Sequence, residues 1–259
     1  MSAPWTPTPE AIVGRLDPVD VERRWSRLHA GDALDRPTDA ALLEGWTDYH
    51  NGHFQRARDA GLRAGSAGWS LAQKATCVYA VYVEPHESTR LILLSDVAER
   101  ALEHQALDRR QAAAWYWQGY ALGRFSQGIS VAKALAQGLG GKVKESLEKA
   151  IALSPKHADA RIALGAFHAE VIDKVGSLIG GMTYGAKKDT GLKLFQAAIK
   201  LNPTSAIAKV EYANGLVMLE GDKRMKEATQ LYEEAAACEP LDAMERLDVD
   251  MAREELEDE

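Results

Sequence analysis

The chain has 259 residues and a formal net charge of −7, and 27% of its residues are charged. This size and composition are typical of a folded globular protein with a substantial core. The acidic balance disfavours a general nucleic-acid binder or a protein of acidic membrane surfaces, because both roles need a basic face. Alanine is abundant and phenylalanine is scarce, which favours helices over a sandwich or a barrel.

Targeting signals and cysteines suggest where the chain works. No run approaches the roughly 20 apolar residues that span a bilayer, so we expect no membrane insertion. The opening MSAPWTPTPE lacks the basic and apolar regions of a signal peptide, so we expect a cytoplasmic protein. Cys77 and Cys238 are isolated in the sequence, and we expect both to be buried small residues of a reduced compartment.

The first 37 residues predict a proline-rich, solvated tail followed by a capping helix in VDVERRWSRLHAG. The segment ALLEGWTDYHNGHFQRARDAGLRAG then predicts a pair of helices that meet at a turn glycine, Gly52. A second pair, LAQKATCVYAVYVE and STRLILLSDVAERALEHQ, is interrupted at Pro85. The final segment, 240–259, places Met244, Leu247 and Met251 on one face and predicts a C-terminal capping helix.

Three later segments end alike: SLEKAIALSP at Pro155, LFQAAIKLNP at Pro203 and LYEEAAACEP at Pro240. An alanine stands five residues before each proline and a large apolar residue eight before it, so both share one helical face. The proline ends the helix, because the residue before it is disfavoured in helical geometry. Each segment is therefore predicted to be the second helix of a pair, and Gly119, Gly165 and Ala213 mark where the first helices cross it.

This pattern resembles the tetratricopeptide repeat (TPR), a helical hairpin of 34 residues. Gly45, Gly52, Phe54, Ala57 and Ala64 fall at the spacing of the consensus small and aromatic residues. The resemblance implies an all-α fold, a right-handed α-solenoid superhelix that occupies 38–239 between an N-terminal segment, 1–37, and the C-terminal cap. Its five hairpins are predicted at 38–66, 70–106, 109–154, 158–202 and 206–239.

Two hairpins are longer than the consensus and carry insertions at 126–141 and 171–190. Both are rich in glycine yet keep apolar residues, which ordinary polar linkers lack. They either lengthen their helices or form a lid or a self-association surface, which makes a homo-oligomer an open alternative. Hairpins of this length are similar to those of proteins related to the regulator of microtubule dynamics and of TPR proteins associated with bacterial transporters.

Catalytic and metal motifs find little support, so no enzyme, cofactor or metal site is predicted. Neither insertion satisfies the phosphate-binding pattern GxxxxGK followed by Ser or Thr. His50 and His53 are interpreted as surface histidines of a turn, because Gly52 separates them and no cysteine lies nearby. His168 and Glu170 lack the PCxxC that zinc deaminases need. They remain candidates for the polar floor of a cavity, although Glu170 and Lys174 also form a favourable i,i+4 pair.

The TPR resemblance implies that the first helix of each hairpin lines a concave face that binds peptides. Large aromatic side chains there give contact area at low ordering cost. The leading hypothesis is a non-catalytic scaffold that binds a protein or peptide, and the alternative is a small-molecule-binding or transport-associated module with the insertions as its lid. The predicted partner-binding residues are Leu42, Trp46, Tyr49, Tyr116, Tyr120, Ile162, Val210 and Asn214.

Overall fold

A computed structural model describes residues 4–257, and it contains helices and no strand within that range. None of the helices in this range has the length and apolar character needed to cross a membrane. The helices are α1 Pro18–Leu28, α2 Ala40–His50, α3 Phe54–Arg63, α4 Trp69–Val78, α5 Glu87–Leu107, α6 Ala112–Gln127, α7 Val131–Ala136, α8 Leu139–Leu153, α9 Ala158–Tyr184, α10 Lys188–Leu201, α11 Ala206–Glu220, α12 Met225–Ala236 and α13 Ala243–Glu257. A π-helical turn, Tyr79–Val83, continues α4.

Local sequence sets where the helices begin and end. The side chains of Asp17, Asp39 and Ser205 accept hydrogen bonds from backbone N–H groups in the first turns of α1, α2 and α11, which satisfies donors that have no partner inside the helix. Helices α8, α10 and α12 end at Leu153, Leu201 and Ala236, a few residues before the three repeated prolines. The recurring prolines therefore separate successive pairs of helices.

Close contact between helices depends on glycines that lie under large side chains. A Cβ on Gly119 would lie 2.8 Å from Leu147, and one on Gly165 would lie 2.9 Å from the Phe195 ring. The same ring covers Gly215, where a Cβ would lie 2.5 Å away. Phe195 on α10 thus fills the space between α9 and α11, and a larger residue on either side would force the helices apart.

The two insertions lie against each other. The first holds the end of α6, the short α7 and the start of α8, whereas the second lengthens α9. Helix α9 is kinked at Gly176 and ends at Gly185, both with positive φ, a conformation that glycine adopts without steric cost. The Tyr184 ring lies so close to Gly140 that a Cβ there would be 2.7 Å from it.

The N-terminal tail packs on the array, so the prediction of a solvated tail is wrong for residues 4–16; residues 1–3 lie outside the described range. The Trp5 ring stacks on Tyr79 at 4.1 Å between centroids, and the Thr8 hydroxyl donates to the Gly52 carbonyl at 2.6 Å. Ile12 is buried in the N-terminal core. Burying these apolar side chains offsets the cost of ordering a segment without helix.

The two ends of the chain meet, which the sequence did not predict. Arg246 on α13 donates to the carbonyls of Ile12 and Val13 at 2.9 and 3.0 Å. Arg27 on α1 pairs with Glu245 through both carboxylate oxygens, the bidentate geometry that makes such pairs strong. Ala243 is buried in the same core cluster as the residues of α1 and α2. The array is therefore closed, with α13 against α1 and α2.

Asp242 connects two parts of this closure. One carboxylate oxygen caps α13 by accepting the Glu245 N–H at 2.8 Å, and the other lies 2.6 Å from His50 Nδ1. Asp242 and His50 are both buried. Removal of the carboxylate therefore leaves both a helix cap and a buried ring nitrogen without a partner.

We predict that Asp242→Ala lowers the free energy of unfolding by about 3 kcal/mol or more, because one partner of a buried pair is lost. The matched control is Asp39→Ala, which removes only the exposed cap of α2 and is expected to cost about 1 kcal/mol. Urea unfolding followed by circular dichroism measures both changes. Equal losses in the two variants would show that the contact with His50 adds nothing to stability.

Candidate ligand cavity

The helices surround a partly open cavity of about 490 Å³. Residues of most of the helices line it, including α1, α6, α9 and α13, and so do residues of both insertions. The volume falls in the usual range of sites for small organic ligands, about 300–1,000 Å³.

Aromatic residues predicted from the sequence form part of the cavity wall. Tyr49, Tyr116, Tyr120 and Ile162 line it, and all are predicted binding residues. Tyr116 stacks at an angle on His157, with ring centroids 4.5 Å apart. Burial raises the pKa of Tyr120 to about 12, so its hydroxyl keeps its proton and its ring stays neutral at physiological pH.

The other predicted binding residues lie in the core. Trp46 is buried beneath Trp25 and His29, whose ring centroids lie 5.7 and 4.7 Å from its own. Leu42 belongs to the same core cluster. The assignment of these two residues to an open concave face is wrong, because α1 and the loop after it cover α2.

The face of helix α11 that lines the cavity is not the face predicted from the sequence, which carries Val210 and Asn214. Ile207 and Glu211 line the cavity, whereas Val210 is buried in the core with Phe195. Asn214 accepts a hydrogen bond from the Tyr232 hydroxyl of α12. Neither Val210 nor Asn214 is among the residues that line the cavity.

The two residues predicted to form a polar floor, His168 and Glu170, lie in different places, and only Glu170 lines the cavity. His168 is buried, and its Nδ1 accepts the Lys187 N–H at 3.3 Å. Burial lowers the pKa of His168 to about 4, so it stays neutral and acts as an acceptor. Glu170 does line the cavity; it accepts from Gln127 at 2.6 Å and lies 3.7 Å from Lys174.

The interpretation of His50 as a surface histidine is wrong, because its side chain is buried between α1 and α13. His29 Nδ1 lies 2.9 Å from Asp32, His50 Nδ1 lies 2.6 Å from Asp242, and the two Nε2 atoms are 3.3 Å apart. Each Nδ1 has a carboxylate partner, so the Nε2 contact is a hydrogen bond only when one proton lies between the rings. Among residues 4–257, no group of three or more His, Cys, Asp or Glu is placed to hold a metal ion.

Lysine and arginine residues that line the cavity have acidic partners. Lys74 Nζ lies 2.6 Å from Asp32, and Arg124 lies 2.8 Å from Glu211. These pairs are largely shielded from water, where an isolated charge is costly. Asp32 has a pKa well below its usual value because His29 and Lys74 oppose the effect of burial.

Asp159 lacks such a partner. It lines the cavity in the first turn of α9, and its carboxylate makes no hydrogen bond to the residues that the structure describes. Burial away from bulk water raises the pKa of Asp159 to about 6, Asp32 acts in the same direction, and Lys74 opposes them. The Tyr116 hydroxyl also makes no hydrogen bond within residues 4–257. The hydroxyl of Tyr49, another lining residue, is buried and has no hydrogen-bond partner either. The cavity wall therefore holds three polar groups without partners among the described residues.

Another acidic side chain of the cavity wall, Asp248, lies on α13. The Tyr82 hydroxyl donates to Asp248 at 2.6 Å. Burial, together with the neighbouring Asp242 and Asp159, raises the pKa of Asp248 well above its usual value. Sequence reasoning missed Asp159, Asp248 and Lys74, because none of them stands in a motif.

Comparisons with known proteins support the fold. No protein-family model and no curated protein matches the sequence. Among solved structures, the chain is similar to a thermophilic TPR protein of Thermus thermophilus, with 16% sequence identity and a TM-score of 0.58. The match covers 82% of this chain and 97% of that one. The resemblance stated from the sequence is thus confirmed for the architecture, and this chain has the all-helical fold of a tetratricopeptide-repeat protein.

Proposed function

We propose that this protein binds a small organic molecule in its central cavity and catalyses no reaction. The observation that carries the proposal is a partly open cavity of about 490 Å³ in which Asp159 and Tyr116 present polar groups without partners. Buried polar groups are normally hydrogen-bonded, and an unpaired one costs stability. A ligand that forms hydrogen bonds with these groups offsets the cost of leaving them unpaired.

Closure of the array favours a small ligand over a peptide. An extended peptide needs a groove that is open along its length, whereas α13 lies across α1 and α2 and is held there by Arg27, Arg246 and Asp242. A small molecule, by contrast, needs only an opening in the cavity wall that is wide enough for it to enter. Of the two functions considered from the sequence, the geometry therefore supports the small-molecule alternative better.

The insertions supply the lid in this proposal. Val131, Leu135, Val175 and Tyr184 belong to them and line the cavity. Gly138, Gly176 and Gly185 have positive φ and are the points where the backbone of this region changes direction. Exposed Val131 and Leu135 show that this wall is incompletely covered.

We predict that an alcohol, amine or carboxylate from a set of small organic compounds raises the melting temperature, and that Gly123→Leu removes the shift. Gly123 lines the cavity, and a Cβ there meets only Val143, at 3.9 Å. The Cβ of the leucine has room, its longer side chain takes up space in the cavity, and the change improves helix propensity by roughly 1 kcal/mol. A compound present at 100 times its Kd stabilises the folded state by about 2.7 kcal/mol, which differential scanning fluorimetry detects.

Gly141→Leu is the control for this experiment. Gly141 is also helical, a Cβ there meets nothing within 4 Å, and the residue does not line the cavity. A thermal shift that persists in Gly141→Leu and is lost in Gly123→Leu supports the cavity. A shift that persists in both variants places the ligand elsewhere.

We also predict that Asp159→Asn stabilises the free protein at pH 7.5 and not at pH 4. The pKa of Asp159 is raised from 3.8 to about 6, so the folded state holds the proton more tightly and its stability falls as pH rises through this window. Asparagine cannot ionise. At 1.36 kcal/mol per pKa unit the gain is at most about 3 kcal/mol above pH 6. Urea titrations at both pH values measure it, and a pH-independent difference would contradict the assignment.

A second proposal is self-association through the tip of the second insertion. Leu178, Ile179 and Met182 are exposed by 76%, 58% and 82%, and they lie within one stretch of α9. Contiguous exposed apolar residues often mark contacts with proteins. Such a contact lies outside the cavity and is compatible with the first proposal.

We predict that Ile179→Ser with Met182→Ser lowers the mass measured by light scattering, because it removes apolar area from the contact. Ile92→Ser is the control, since Ile92 is 62% exposed on α5. A wild-type protein that is monomeric at high concentration would rule out the contact.

A further inference from the structure

We infer that the ligand of the cavity is an organic cation, an amine whose protonated nitrogen binds the Asp159 carboxylate while its hydrocarbon part packs on the tyrosines. This inference rests on the proposed function, since it names the chemical class that the same cavity takes. The charges, the shape around Asp159 and the aromatic wall lead to it separately.

The charge balance of the cavity leaves acid in excess. Lys74 is paired with Asp32, Arg124 with Glu211, and Arg27 with Glu245. Lys174 lies near Glu170, and Asp242 has His50 Nδ1 2.6 Å away as its partner. Asp159 and Asp248 remain without a salt bridge among residues 4–257. An anionic ligand would meet two acidic side chains and no unpaired base, so it is disfavoured.

The chain makes room for the Asp159 carboxylate. Its oxygens lie against Gly31, where a Cβ would be only 2.3 Å away, and the Asp159 N–H donates to the Gly31 carbonyl at 3.0 Å. The start of α9 is thus fixed on the loop after α1. Position in a first helical turn favours an acid, yet it supplies no hydrogen bond to these oxygens. The acid is held in place and left open toward the cavity.

The aromatic wall suits a cation as well. Tyr49 and Tyr116 are both buried and line the cavity, and burial raises the pKa of each well above its usual value, so both rings stay neutral. The faces of neutral aromatic rings attract ammonium groups, most strongly where water is excluded. Lys74 already uses the Tyr49 ring, with Nζ 5.3 Å from its centroid. The Tyr116 hydroxyl adds an acceptor for an ammonium N–H.

The test compares three compounds of equal chain length: n-hexylammonium, 1-hexanol and hexanoate. Isothermal titration calorimetry at pH 7.5 measures their affinities for the full chain. We expect hexylammonium to bind at least 10-fold more tightly than hexanol, and hexanoate to bind least. Asp159→Asn should remove this preference, whereas Asp96→Asn, at an exposed site on α5, should keep it.

A pH series gives an independent readout. Groups that face Asp159 are Lys74 on α4, Asp32 on the loop after α1, Tyr49 on α2, Tyr116 on α6 and Asp248 on α13. Asp159 is neutralised as pH falls below about 6, so the preference for hexylammonium over hexanol should decline there in wild type. A preference that is constant from pH 8 to pH 5 would overturn the role of Asp159.

The outcomes separate this inference from the proposed function. Equal or tighter binding of hexanol or hexanoate, blocked by Gly123→Leu, keeps the cavity as a binding site and overturns the cationic ligand. No binding of any of the three compounds to wild type counts against both. Asp159→Asn should fold at least as stably as wild type, so its loss of hexylammonium binding can be distinguished from unfolding by its thermal melt.

Discussion

The contact between the first and last helices is the constraint on which the rest of this structure depends. Repeat arrays usually end in caps that face water, whereas here Asp242 both starts α13 and binds a histidine of α2. This contact turns the inner face of the array into a chamber. Charges on that face are therefore shielded from water, and each interaction between them is stronger than it would be on an open groove.

The buried charges illustrate this effect. Burial lowers the pKa of His29 and His157 to about 4, so these rings remain uncharged in the interior. Lys74 keeps its charge because Asp32, Asp159 and Asp242 more than offset the effect of burial and raise its pKa. Asp159 has no equivalent compensation. The molecule therefore maintains a costly acidic group in a position where each neighbouring lysine and arginine is already paired, which is expected of a binding site more than of a structural one.

The fold was largely predictable from the sequence because its signals are local. Prolines and crossing glycines act within one or two helices, and α8, α10 and α12 end where these residues indicate. The inner positions of α6 were found in the same way, and Tyr116 and Tyr120 line the cavity. Trp46 was misplaced because the residues that cover it, Trp25 and His29, come from a helix outside the repeat pattern.

The candidate site was predictable only in part, since its polar half depends on which groups lack partners. Asp159 differs from the other acids in having no salt bridge, and this becomes clear only when the nearby Lys74, 85 residues earlier in the sequence, has been assigned to Asp32. His50 shows the same limit, because its partner Asp242 is separated from it by 192 residues. Only the closed fold reveals these assignments.

The walls of the cavity differ in the interactions that hold them in place, and this difference affects the route by which a ligand reaches Asp159. The closure near α13 is fixed by buried hydrogen bonds and ion pairs, including Arg246 to Ile12 and Arg27 to Glu245. The insertions contribute few such bonds and keep apolar residues exposed, and segments of low contact density open at the lowest free-energy cost. Glycines with positive φ at both insertions provide points of bending. Access through the insertions leaves the charged contacts intact, whereas access past α13 would expose Asp242 and His50 without their partners.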